Sequence, residues 1–296
     1  MANRSVVLAL VVLGLLAAPP QPAVGQPSPV SGSLVVAAPS KDGLIVAADS
    51  RAGMDGVFCD SYHKITEPAR PDRTVFAVIG RSMYLEPSPS GLADPCAYLR
   101  QAARLYDIDA LVKTYLETSE ANVATMGIEE LAARCIQTIA AVQKTHGDHM
   151  RGFWGTRVFA VILASYAPAG RTSTVKRFSL LLSPTGDPFV SEKETKVIGP
   201  ASRGVILAFG ENEFYQKQVV DGPGRQFLTG RFKEWATKAR VADIDHSVAL
   251  NAAVDMIEAA SKTAALLRAN LALGGPVDAV LLGDQPRPKR LRWKGP

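Results

Sequence analysis

The first apolar run extends from Val6 to Ala18 and stops at Pro19-Pro20. After a Pro- and Ser-bearing stretch come two further runs, Ser33–Ala38 and Leu44–Asp49, flanking Pro39-Ser40-Lys41-Asp42-Gly43. Near-continuous apolar runs such as Leu44–Ala48 predict strands covered on both faces. The Asp42-Gly43 dipeptide between them predicts a hairpin. A hairpin symmetric about Lys41 pairs residue i with residue 82 − i, which sets Ser33 opposite Asp49. Lys64 borders the next extended segment and is within reach of the same end. The spacing therefore allows a Ser–Asp–Lys cluster.

Beyond a loop marked by Gly53 and Gly56, Thr74–Ile79 is a strand bounded by Arg70-Pro71-Asp72 and Gly80. Glu86–Gly91 is a surface loop. Helical patterns follow at Asp94–Leu105, Asp109–Leu116 and Ile128–Gln143. The last is the clearest, with Leu131, Cys135, Ile139 and Val142 at three- and four-residue steps. His146-Gly147-Asp148-His149 ends it. The Gly makes this a solvated turn rather than a metal site, and no carboxylate–histidine set lies nearby in sequence. Two strands, Arg157–Tyr166 and Val175–Leu182, are joined by Ala167-Pro168-Ala169-Gly170, and Ser183–Gly186 turns the chain again. A strand at Gly204–Phe209 leads into Asn212–Val220. The long helix His246–Arg268 carries Val248, Ala252, Met256, Ala259 and Ala260, small residues suited to close packing. Pro276–Leu282 is the last strand. This order predicts sheets covered by helices, α/β or α+β, with no repeat and no second domain.

The chain has 296 residues, 47% hydrophobic and 21% charged, enough for a sizeable core. The formal charge of +5 is mild, and part of it sits in Lys289-Arg290-Leu291-Arg292-Trp293-Lys294. That segment is read as a solvated end. No nucleic-acid motif and no cofactor motif is present in the sequence. Arg4, the apolar run and the small residues after it describe a secretory signal peptide, too short to span a bilayer as a helix. Cleavage is expected after Ala23-Val24-Gly25, giving a signal peptide at 1–25 and a linker at 26–32. No Cys follows the run, so no lipid anchor is expected. The chain is thus read as exported, periplasmic or extracellular, with no stable membrane anchor. Three cysteines in an oxidising compartment allow one internal pair. Cys96 and Cys135, both in helical segments, are the expected pair, which leaves Cys59 as an inert thiol.

Gly32-Ser33, Lys41-Asp42-Gly43, Ala47-Ala48-Asp49-Ser50-Arg51, His63-Lys64-Ile65 and Phe76-Ala77-Val78-Ile79-Gly80 together resemble the opening of a proteasome β-type subunit. That family belongs to the N-terminal nucleophile hydrolases. The likeness resumes at Phe209-Gly210 and at Gly274–Leu282. It implies a four-layer αββα sandwich, an α+β fold, over residues 33–284, with 285–296 as a basic tail. It also implies cleavage at Gly32–Ser33, a peptide or amide substrate and a homo-oligomer built of rings.

An N-terminal nucleophile needs a hydroxyl on the first residue and a free α-amino group as base, whose ordinary pKa is about 7.7–8.0. By resemblance Ser33 is the nucleophile, Lys64 the ammonium that stabilises the alkoxide, and Asp49 the carboxylate that holds it. Arg51 orders the same network, and the Gly80 N–H meets the oxyanion. Ala52 and Val78 match pocket positions, and being apolar they imply an apolar residue before the cleaved bond. The chain departs from the family in four places. Serine replaces threonine, losing the methyl that restricts χ1. Glu211, Asn270 and Leu273 stand where the family has a supporting Ser–Asp–Ser set. Two alternatives therefore stay open: a non-catalytic protein that kept the fold for assembly or binding, and an amidase for small exported amides. Ser33 has two routes of exposure, self-cleavage after the signal peptide is removed, or direct signal-peptidase cleavage after Val30-Ser31-Gly32.

Overall fold

The computed structural model describes residues 33–292 apart from 55–56, 70–71, 86–93, 102, 120–122, 124, 211–213 and 270–272. The signal peptide, the linker with Gly32, the Glu86–Gly91 loop, Glu211, Asn270 and residues 293–296 of the tail lie outside the described residues. Strands β1 (Leu34–Ser40) and β2 (Gly43–Asp49) open the chain, followed by a small hairpin of β3 (Ala52–Met54) and β4 (Val57–Cys59). Next come β5 (Ile65–Thr66), β6 (Thr74–Gly80), β7 (Met83–Leu85), helix α1 (Pro95–Gln101), β8 (Arg104–Asp107), α2 (Ile108–Thr118) and α3 (Glu129–Met150). The second half holds β9 (Arg157–Ala167), β10 (Thr172–Leu182), β11 (Pro188–Ile198), β12 (Leu207–Gly210), α4 (Gly230–Ala236), α5 (His246–Leu266), β13 (Val277–Leu282) and β14 (Lys289–Arg292).

Two five-stranded antiparallel sheets result, ordered β12-β1-β2-β13-β14 and β11-β10-β9-β6-β5. Val35, Ala37, Val46 and Ala48 of the first pack against Val75, Ala77, Ala160 and Ile162 of the second. The many alanines on these facing surfaces keep the shared core thin. The other face of the first sheet, with Leu34, Val36, Ile45 and Ala47, is covered by Ala249, Ala253, Met256 and Ala260 of α5. The other face of the second, with Phe76, Phe159, Val161 and Phe178, is covered by Val112, Leu116, Leu131 and Ile139 of α2 and α3. Burial on both faces explains why β1 and β2 show no polar alternation. The molecule is a mixed α+β fold of antiparallel sheets and helices.

The first hairpin corrects the expected register. Val35 pairs with Ala48 and Ser40 with Gly43, so residue i meets 83 − i and the turn is only Lys41-Asp42. Gly43 makes the tight turn workable: its φ is +145°, and a Cβ there would overlap the Leu282 carbonyl. The one-residue shift sets Leu34, not Ser33, across from Asp49, and Ser33 lies just before the strand.

Other differences are local. The first predicted helix stops at Gln101, and Arg104–Asp107 instead pairs with β7. Helix α2 starts at Ile108 because the Asp107 side chain accepts the Ala110 N–H at 2.9 Å. Helix α3 continues beyond Gln143, through a kink at His146, so that residue does not end it. Asn212–Val220 gives a π-helical turn at Tyr215–Val220. Strand β11 has no counterpart in the predicted elements, because exposed Glu192, Lys193 and Lys196 on this edge strand break the apolar signal. Lys289–Arg292 forms a sheet edge against β13, so these four residues are not a free solvated end. Arg290 pairs there with Glu67 at 3.2 Å.

The cysteine expectation is overturned. Cys59 bonds to Cys96, and Cys135 is a buried free thiol. Cys135 points from α3 into the core over the second sheet, whereas Cys59 and Cys96 meet in a separate small cluster with Leu85 and Leu99. Burial pushes the Cys135 thiol up to about 12, which leaves it unreactive near neutrality.

Candidate active site

The site gathers at the end of β2. Asp49 is completely buried and receives three donors: Lys64 Nζ at 2.8 Å, the Leu34 N–H at 2.9 Å and the Gly274 N–H at 3.2 Å. Lys64 is itself only 4% exposed. Loss of water pushes the Asp49 carboxyl up and the Lys64 ammonium down, and each is pulled back by the other's charge. The two backbone N–H groups further favour the carboxylate. Half-buried Ser33 immediately precedes Leu34, so one carboxylate ties Lys64 to the backbone beside the candidate nucleophile.

Lys64 comes from an irregular segment after β4 that is fastened repeatedly. The Tyr62 N–H donates to the Ser50 carbonyl at 3.0 Å, and Ser50 Oγ donates to the Asp60 carbonyl at 2.7 Å. Arg51 forms a two-pronged pair with Asp60 at 2.6 and 2.9 Å. It therefore ties down the segment that carries Lys64, and its charge is also felt by Asp49 and Lys64. His63 Nδ1 lies 2.8 Å from the buried Asp278 carboxylate on β13. The adjacent residues His63 and Lys64 thus engage two different buried acids.

Two glycines bring the other sheet close. Gly210, with φ +104°, lies so near Ser33 that a Cβ would overlap the Ser33 carbonyl oxygen. Such a Cβ would also lie 3.4 Å from Ile79, the neighbour of Gly80. Gly80 ends β6 with φ +91°, and a Cβ there would lie 2.7 Å from the Val158 carbonyl oxygen. Ser33 and Gly80 consequently sit at the same end of the two stacked sheets.

The expected pocket residues are less closely joined. Val78 is buried in the core beneath α2 and α3, while Ala52 packs on the Cys59–Leu85–Leu99 cluster. Leu273 is buried in the core under α5 and offers no hydroxyl, but the N–H of its neighbour Gly274 reaches Asp49. Gly274 and Asp278 entered the sequence reading only as part of the resembling run Gly274–Leu282, with no role, and Asp60 did not enter it. Asp278 had a signal, a lone carboxylate inside the apolar run Val277–Leu282. Among the described residues no cluster of three or more His, Cys, Asp or Glu is suited to a metal.

No protein-family model and no curated protein matches the chain. Among solved structures it is similar to Anbu (ancestral beta-subunit) from Yersinia bercovieri, at 15% identity over 87% of this chain and 86% of that one, TM-score 0.41. A Gly-1 mutant of Anbu from Hyphomicrobium sp. strain MC1 gives 19% identity over 88% and 87%, TM-score 0.38. The helical assembly of the Anbu complex from Pseudomonas aeruginosa gives 16% over 88% and 86%, TM-score 0.43. These likenesses are distant.

Proposed function

We propose that the chain is a proteasome-like N-terminal nucleophile hydrolase, a four-layer αββα sandwich that cleaves peptide or other amide bonds. Ser33, freed by cleavage after Gly32, is its nucleophile. The observation that carries this reading is the buried Lys64–Asp49 pair fastened to the Leu34 N–H. A buried ion pair is weak evidence for stability, since desolvation offsets its attraction. A charge pair kept out of water one residue from a hydroxyl has an evident use in catalysis.

In the proposed reaction Ser33 Oγ attacks the amide carbon while the α-amino group takes the hydroxyl proton. The Lys64 ammonium stabilises the developing alkoxide, and the Gly80 N–H faces the oxyanion. Removal of one such donor costs on the order of 10²–10³ in rate in enzymes where it has been tested. The C–N bond then breaks and the amine leaves with the proton. Water next attacks the ester carbon and gives a proton to the α-amino group; the C–Oγ bond then breaks, the α-ammonium returns that proton to Ser33 Oγ, and the acid product leaves. Arg51 is a positioning residue, acting through Asp60 on the segment that carries Lys64. Export is part of this proposal, and the Cys59–Cys96 disulfide supports it because disulfides persist in oxidising compartments.

Leu273 favours the second reading, a protein that kept the fold without activity, since the resemblance calls for a hydroxyl there. Ser33→Ala decides between them. Under self-cleavage the mature wild-type protein begins at Ser33, and the variant begins at Gln26 and is inactive. Under direct signal-peptidase cleavage both begin at residue 33, and only the variant is inactive. A wild-type protein that begins at Gln26 by intact mass rules out the hydrolase.

A further inference from the structure

Arg157 stands apart from the other charged groups at this end of the molecule. Lys64 is paired with Asp49, Arg51 with Asp60 and His63 with Asp278. Among the described residues, Arg157, half-buried at the start of β9, makes one long hydrogen bond, from Nη2 to the Gly210 carbonyl at 3.4 Å. Among the described residues no carboxylate pairs with it. A guanidinium carries five N–H donors in a planar fork, so most of its capacity is unused here. Partly out of water, such a group favours an anion, and a carboxylate matches the fork with two parallel bonds.

Its position gives that anion a place. In the first sheet β1 lies between β12 and β2. Asp49 and the Ala52 hairpin lie on the β2 flank of Ser33. Arg157 reaches across from the second sheet to Gly210, which flanks Ser33 on the β12 side and abuts its carbonyl. An amide lying across Ser33 has one flank toward Ala52 and the other toward Arg157. The resemblance sets the residue before the cleaved bond on the Ala52 flank, so the leaving amine falls on the flank of Arg157.

We propose that Arg157 binds a carboxylate carried by the leaving amine, which directs the site toward amides whose amine part is an amino acid or short peptide with a free carboxyl terminus. The proposal rests on the Ser33 reading and gives it a substrate class. Arg157 is a specificity residue in it and takes no proton.

Two substrates with the same peptidyl acyl group, one a 4-aminobenzoate and one an anilide, test it. Loss of one charge-assisted pair predicts a kcat/KM ratio on the order of tenfold in favour of the carboxylate for the wild-type protein. Arg157→Gln brings the ratio near one, and Arg157→Lys keeps part of it. A wild-type ratio near one, or a ratio unchanged in Arg157→Gln, overturns the proposal. If Arg157→Gln is unfolded by circular dichroism, Arg157→Lys decides, and its ratio must fall below that of the wild type. Acylation of Ser33 by a neutral β-lactone, read by mass spectrometry, separates the two levels. An adduct with no carboxylate preference removes only the role of Arg157. No adduct and no hydrolysis in the wild type removes the hydrolase reading, and this proposal with it.

Discussion

Asp109, in the first turn of α2, accepts the Tyr62 hydroxyl at 3.2 Å two residues before Lys64. Burial raises its carboxyl from an ordinary 3.8 to about 6. A folded value above the unfolded one means that the protonated form favours folding. The contribution is full below about pH 4 and is lost as pH rises through about 6. Denaturant unfolding from pH 4 to 7 should therefore show Asp109→Asn gaining roughly 2 kcal/mol relative to the wild type over that range. A constant difference across the range would show that Asp109 is not held this way. The Lys64–Asp49 pair differs in kind, because both charges are paired and Asp49 has two further backbone donors. Removal of either partner strands a buried charge, and the loss is greater than the pair's net worth.

The decisive element is the segment between β4 and β5, which has little regular structure of its own and places Lys64. The Cys59–Cys96 bond anchors its start to α1 across a sequence separation of 37. Closing a loop of that length in the unfolded chain is worth about 3–4 kcal/mol by the chain-entropy estimate. Cys59→Ser or Cys96→Ser should lower the urea midpoint accordingly and reduce any hydrolytic kcat, because Lys64 lies five residues from Cys59. Cys135 contributes nothing to this clip. A denatured, unreduced wild-type protein should titrate one thiol, and a reduced one three. An unchanged midpoint in both serine variants would sink the assignment of this bond as a structural clip.

For the whole molecule, two sheets face each other through alanine-rich surfaces and carry helices on their outer faces. Ser33 and Gly80 share one end only because the sheets stack with these ends together. One edge of the second sheet is β11, where Phe189 is 41% and Val197 65% exposed. Charged residues along that strand oppose indiscriminate edge pairing. We propose a homo-oligomer on the strength of the family resemblance, with this surface available for contact. Light scattering at micromolar concentration should return a mass above that of one chain, 31.5 kDa for all 296 residues. A monomer would end the proposal.

Local pattern alone carried much of this. The runs Ser33–Ala38, Leu44–Asp49 and Pro276–Leu282 marked strands, and the unbroken Leu44–Ala48 marked burial on both faces, which removes polar alternation. The steps of Leu131, Cys135 and Ile139 marked α3, because a helix repeats its buried face every three to four residues. Spacing also put Lys64 within reach of Asp49, and the two pair in the structure. The hairpin register was not, since it depends on Gly43 fitting against Leu282 on another strand. The disulfide was not, since helical pattern does not tell which core a cysteine faces. The partners of Arg51 and His63, the Gly274 donor and the contact of Arg157 with Gly210 were settled only when distant segments were brought to one sheet end. Periodicity fixes which residues are buried, and the stacking of elements decides which buried charges meet.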